Sequence, residues 1–113
     1  MFDVLKNLGN LPGLMAKARE MQDKMKAMQD ELARRHVSAD AGGGMVEATV
    51  NGRLELVKLK IDKARIDPND TEMLEDLVVA AVHAAQGKAA EMVQGEMQKM
   101  AGDLGLPPGM LPQ

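Results

Sequence analysis

The stretch Met45-Val46-Glu47-Ala48-Thr49-Val50-Asn51-Gly52-Arg53-Leu54-Glu55-Leu56-Val57-Lys58-Leu59-Lys60-Ile61 decides the fold. Val46, Ala48 and Val50 alternate with Met45, Glu47 and Thr49, which is the period of two of a half-buried strand. Asn51-Gly52 is a strong hairpin signal, because a two-residue type I′ turn needs positive φ at both central residues. Leu54 to Asp62 then reads as the return strand. Its alternation slips phase: Leu54 and Leu56 fall on one face, and Val57, Leu59 and Ile61 on the other. A bulge near Val57 or a strand covered on both faces would account for this. The second reading is preferred, with another copy of the chain as the second cover.

Upstream, His36 to Asp40 can form a further short strand, and Ala41-Gly42-Gly43-Gly44 reads as a flexible connection. Before that the period is helical. Leu11, Leu14, Ala18, Met21, Met25, Met28 and Leu32 are spaced 3, 4, 3, 4, 3, 4, a heptad seam suited to a partner helix. This predicts a helix over about residues 12–35, with Pro12 in its first turn. Downstream, Ala64 to Asn69 is a linker containing Pro68. Asp70 or Thr71 caps a second helix whose first turn holds Glu72, Glu75 and Asp76, at the positive end of its dipole. Its wide apolar stripe runs from Met73 to Met100, interrupted by Gly87 and Gly95, which suggest close packing. The helix ends near Ala101, before Gly102 and Gly105. Residues 1–10 and 102–113 read as flexible ends of a single domain spanning 1–113.

Among the 113 residues there is one aromatic, Phe2, while methionine numbers 11. The core is therefore expected to use Leu, Val, Met, Ala and Ile. There is no cysteine, which removes disulfides and thiolate metal sites and suits a reducing cytoplasm. No signal peptide and no membrane-spanning run is visible, so a cytoplasmic protein without a membrane partner is expected.

The constellations that run reactions are missing from the sequence. His36 and His83 lack metal-ligand spacing, and Ser38, Thr49 and Thr71 lack a nucleophile-elbow context. Gly42-Gly43-Gly44 precedes a strand and lacks the Gly-Lys-Ser/Thr of a phosphate loop. We expect no catalytic residue, no metal, no cofactor and no small-molecule substrate.

The net charge is −3, but it is unevenly spread. The first 35 residues are mildly basic, the middle is neutral and the last third is acidic. The first helix carries Lys17, Arg19, Lys24, Lys26, Arg34 and Arg35. These are candidates for phosphate contact, yet several acids stand at i, i+4 and could neutralise them. Arg53, Lys58, Lys60 and Lys63 on the return strand are ambiguous for the same reason. Without aromatics to stack on bases, any nucleic-acid binding must rest on the backbone of a duplex.

The order of elements, with Met21-Gln22-Asp23-Lys24-Met25, the Gly44-Met45-Val46 to Asn51-Gly52 hairpin, Leu59-Lys60-Ile61-Asp62, Met73-Leu74-Glu75-Asp76-Leu77-Val78 and Leu106-Pro107-Pro108-Gly109, resembles the YbaB/EbfC family of bacterial nucleoid-associated proteins. The resemblance implies an α+β fold of order α-β-β-β-α, two long helices flanking a three-stranded antiparallel sheet, in a homodimer. It also implies binding of double-stranded DNA with low sequence specificity, a place in the nucleoid, an influence on its organisation or on gene expression, and no catalysis. Family DNA contact falls on the helices, without a motif to assign single residues. The alternative is a non-catalytic protein-interaction dimer without significant DNA affinity.

Overall fold

The computed structural model describes residues 11–103. Five elements follow in order: α1 (Leu11–Arg34), β1 (His36–Ala41), β2 (Val46–Asn51), β3 (Leu56–Ile61) and α2 (Thr71–Asp103). The chain divides into two units, one ending at Glu31 and one beginning at Leu32. The first holds most of α1; the second holds the sheet and α2. The expected α-β-β-β-α order is present. The tail motif at 106–109 lies outside the described residues.

The sheet is antiparallel in the order β1-β2-β3. Directly paired residues share a face, so Val37, Ala39 and Ala41 join Val50, Ala48 and Val46 on one side. α2 lies across β1 and β2 on that side. Its buried contacts are Ala81, Ala85 and Ala89, one turn apart, set against Ala39, Val46, Ala48 and Val50. Small side chains on both surfaces let the helix approach closely. Leu74, Leu77, Val78, Val82, Ile61 and Ile66 pack around this centre. The core is thus an alanine–valine layer, and no methionine among the described residues is buried. Of the five residue types expected there, Ala and Val form the layer with Leu and Ile around it, and among the described residues only Met is absent from both: an alanine seam leaves no irregular gaps for a long thioether.

The hairpin also differs from expectation. Asn51 closes β2, and the loop is Gly52-Arg53-Leu54. Leu54 N donates to Asn51 O at 3.0 Å, and Asn51 N donates to Glu55 O at 3.0 Å. The positive φ falls on Leu54, at 64°, rather than on Asn51 or Gly52. This is a three-residue loop, a turn followed by one left-handed residue. Asn51 organises it: its Oδ1 accepts from Arg53 N at 2.9 Å and Glu55 N at 3.1 Å, and its Nδ2 donates to Glu55 Oε1 at 3.0 Å. Gly52 serves a different purpose. Its N–H donates to Leu32 O, at the end of α1, at 2.9 Å. A Cβ there would stand 2.4 Å from that oxygen. The Asn-Gly pair therefore satisfies a helix terminus as well as turning the chain.

The phase slip in β3 is a bulge. Val50 pairs with Leu56 and Thr49 with Lys58, which leaves Val57 as the extra residue. Leu56, Leu59 and Ile61 therefore share the α2 side of the sheet, which corrects both the sequence-derived faces and the preference against a bulge. β3 is an edge strand that α2 does not cover, and it is exposed along most of its length.

The Gly42-Gly43-Gly44 connection is a defined turn with φ of 64°, 63° and 93°. Arg65 holds it, donating from Nη1 to Gly43 O at 2.9 Å and from Nη2 to Gly42 O at 3.4 Å. It is not the loose tether its composition suggested. Asp70 caps α2, its Oδ1 accepting from Met73 N at 3.1 Å. Among the described residues no helix is long and apolar enough to cross a membrane.

Candidate nucleic-acid interface

Lys17, Arg19, Lys24 and Lys26 all stand on α1 in the first unit, exposed. Helical spacing sorts them into two stripes. Lys17 and Lys24 are seven residues apart and flank the apolar seam. Arg19 and Lys26 are also seven apart and lie on the far side. Each pair is separated by about 10 Å along the helix axis. Arg34 and Arg35 belong to the second unit.

Neutralisation within the helix is slight. Lys24 Nζ stands 3.4 Å from Glu20 Oε1, with both side chains more than half exposed. Such a surface pair contributes little and yields readily to a phosphate. Lys17, Arg19, Lys26 and Arg34 form no ion pair with a described residue. The i, i+4 pairings of Arg19 with Asp23 and of Lys26 with Asp30, expected from spacing, are not made.

Arg35 differs. Its Nη1 donates to Glu96 Oε1 at 2.8 Å, joining the residue after α1 to α2 across 61 positions of sequence. The hydrogen bond from Arg35, reinforced by the charges of Arg35 and Lys99 against some desolvation, holds the Glu96 carboxyl below its ordinary range. Lys99 Nζ lies 3.8 Å from the same oxygen. Arg35 thus serves the fold, although sequence grouped it with the phosphate candidates. No sequence signal distinguishes it, because its partner is so far along the chain.

The basic residues of β3 stand on the sheet face opposite α2. Lys60 pairs across β2 with Glu47, and Glu47 in turn faces Asp40. Lys58 faces Thr49, which shares a 2.6 Å hydrogen bond with Ser38. This face mixes charges: Lys60, Glu47 and Asp40 stand in adjacent register positions across the three strands. The exposed surface of α2 carries Glu72, Glu75, Asp76 and Glu91. α1 carries more exposed cations outside ion pairs than β3, where Lys58 and Lys60 are likewise exposed and unpaired among the described residues. No group of three or more His, Cys, Asp or Glu among the described residues could hold a metal ion.

Element order and charge placement define a small α-β-β-β-α protein that presents cations on a helix. The family model described as the YbaB/EbfC DNA-binding family matches residues 7–104. A nucleoid-associated protein of Syntrophobacter fumaroxidans is 50% identical over 93 residues, covering 82% of this chain and 84% of the relative. One from Paramagnetospirillum magneticum is 49% identical over 105 residues, covering 93% and 95%. Among solved structures, the uncharacterized protein HP0035 from Helicobacter pylori matches with a TM-score of 0.60 at 23% identity, covering 74% of this chain and 96% of that one. The chain belongs to the YbaB/EbfC DNA-binding family.

Proposed function

We propose that this protein binds double-stranded DNA in the nucleoid, with low sequence specificity and as a homodimer, through α1 cations on backbone phosphates. The observation that carries the reading is the set Lys17, Arg19, Lys26 and Arg34, exposed and without an ion-pair partner among the described residues. Lys24, in a loose surface pair, joins them; Arg35, bound to Glu96, does not. Contact restricted to phosphates reads position and not sequence. Family membership favours DNA over another polyanion, and the names of the relatives favour the nucleoid. No catalytic role, cofactor or small-molecule substrate is part of this reading.

A duplex titration against salt tests it. If three cations per chain touch phosphate, a dimer neutralises six, and the slope of log K against log salt is about −5. Arg19→Ala with Lys26→Ala removes up to four contacts and flattens the slope by about 3 to 4 units. An unchanged slope with this double variant sinks the placement on α1. No shift of random duplex at micromolar protein and low salt instead favours the protein-interaction reading.

The surface that best suits the dimer lies beside β3. Gln86 Nε2 donates to Leu54 O and Lys88 Nζ to Ser38 O, so the Gln86 side of α2 faces the hairpin and the Lys88 side faces β1. Val79 and Val82 are placed by helical spacing on the Gln86 side. With Leu56 and Leu59 they border the part of the sheet that α2 leaves open; Val79 is 68% exposed and Leu56 47%. An isologous contact here would cover the apolar strand and the edge of β3 together. Leu59→Lys should convert the dimer to monomer by light scattering while α1 keeps its cations.

A further inference from the structure

α1 carries an apolar surface that the DNA reading does not use. Leu11, Leu14, Ala18, Met21, Met25 and Met28 keep the strict 3, 4 spacing. Leu11 is 49% exposed, Leu14 53% and Met21 41%. A helix resting on a broad core needs a wider stripe of period 3.6, whereas a seam of period 3.5 stays in line with another helix. We propose that this seam is a second self-association face, occupied by the same stretch of α1 from another copy lying parallel to it, and that it links DNA-bound dimers. The proposal rests on the dimer and DNA readings above.

Charge selects the occupant and its direction. With the seam as heptad positions a and d, Lys17 and Lys24 occupy g, while Met15, Gln22 and Gln29 occupy e. In a parallel pair each g faces the e five residues on in the other helix. Lys17 then meets Gln22 of the second copy and Lys24 meets Gln29, with no like charges opposed. An antiparallel pair sets g against g. With Met21 and Met25 in one layer, Lys24 meets its own copy; with Ala18 and Met21 in one layer, Lys17 meets Lys24. Ala18 at the centre of the exposed half permits close approach. Arg19 and Lys26, on the far side, stay available to phosphate.

The area sets the strength. Six exposed or half-exposed positions on each of two helices bury on the order of 800–1,000 Å², less than the roughly 1,200–2,000 Å² of a stable interface. Free dimers should therefore associate weakly. Tethering on one duplex raises the local concentration and favours the contact.

The absence of cysteine from the chain permits a clean test. Ala18→Cys and Met21→Cys place a thiol at a and d; Asp23→Cys places one on the outer face. Under mild oxidation on random duplex, the two seam variants should form disulfide-linked chains at least about ten times faster than Asp23→Cys. Removing the DNA should slow them, and adding Leu14→Lys should suppress them. Equal rates at all three positions, or no linkage at the seam, would overturn the proposal, including the case in which another segment of the same chain covers it. Gel shifts on the reduced variants separate the two failures, since an intact shift without seam linkage refutes the seam alone. If the unsubstituted protein gives no shift, the DNA reading falls, and the same rate ratio at about millimolar protein without DNA decides the seam.

Discussion

Replacing Gly52 with alanine tests the account of how the hairpin joins the end of α1. The added Cβ would lie 2.4 Å from Leu32 O, 2.7 Å from its carbonyl carbon and 2.7 Å from its Cβ. Two of these three atoms are backbone, so no side chain can swing aside. Restoring even 3.0 Å requires the loop to retreat, and the 2.9 Å hydrogen bond from Gly52 N to Leu32 O lengthens with it. Overpacking of this kind costs about 1–3 kcal/mol, and losing the hydrogen bond adds about 1 kcal/mol. Leu32 O retains its bond from Arg35 N at 3.1 Å, so it is not left bare. The expected loss is about 2–4 kcal/mol, a fall in Tm of roughly 8–16 °C for a domain near 100 residues. Thermal unfolding by circular dichroism measures it, and amide exchange at residue 52 should lose protection. A Tm within about 2 °C of the parent would refute the reasoning. It would mean that Gly52 is present for its turn conformation, as an Asn-Gly pair would ordinarily suggest.

Gly87→Ala and Gly95→Ala should each raise stability by about 1 kcal/mol, because a Cβ there meets nothing within 4 Å and helix propensity alone decides the outcome. A loss of stability at either position in thermal melts would show that another chain lies against that face of α2. Asn51→Ala removes three hydrogen bonds at a buried side chain and should cost about 2–3 kcal/mol in urea unfolding; a cost below about 0.5 kcal/mol would refute its organising role. Glu96 sits below its ordinary pKa in the fold, so the stability it contributes is present above the unfolded value and is lost as pH falls through the folded one. Glu96→Gln should lose that part of the acid dependence in melts between about pH 3 and 6, and an unchanged profile would refute the coupling.

The parts of the fold legible in sequence are those set by local periodicity. The switch from 3.5 to 2 near His36, the alternation of Val46, Ala48 and Val50, and the cap at Asp70 each depend on neighbours within a few residues. What sequence misjudged was decided at a distance. Gly52 signals a type I′ turn until Leu32 O, 20 positions earlier, takes its N–H. Leu56 and Leu59 appear to face opposite ways until Val57 is expelled by pairing with β2. Composition puts methionine among the core residues until Ala81, Ala85 and Ala89 meet a sheet of Ala and Val.

The same division governs the candidate interface. The cations of α1 were visible as residues, but whether they were neutralised turned on side-chain geometry. Spacing offered partners to Arg19 and Lys26 that the helix does not use, and it gave no hint that Arg35 is taken by Glu96. The contrast has a physical basis. Arg35 lies in the same unit as Glu96, so its charge is drawn into that fold; Lys17, Arg19 and Lys26 stand on turns of α1 whose side chains are exposed. Exposed turns contribute little to the core, so their charges and their apolar seam are open to selection by partners. A substitution on those turns should therefore change binding or assembly while leaving the Tm of the unit from Leu32 onward nearly unmoved. Substitutions at Gly52, Asn51 and Glu96 should do the reverse.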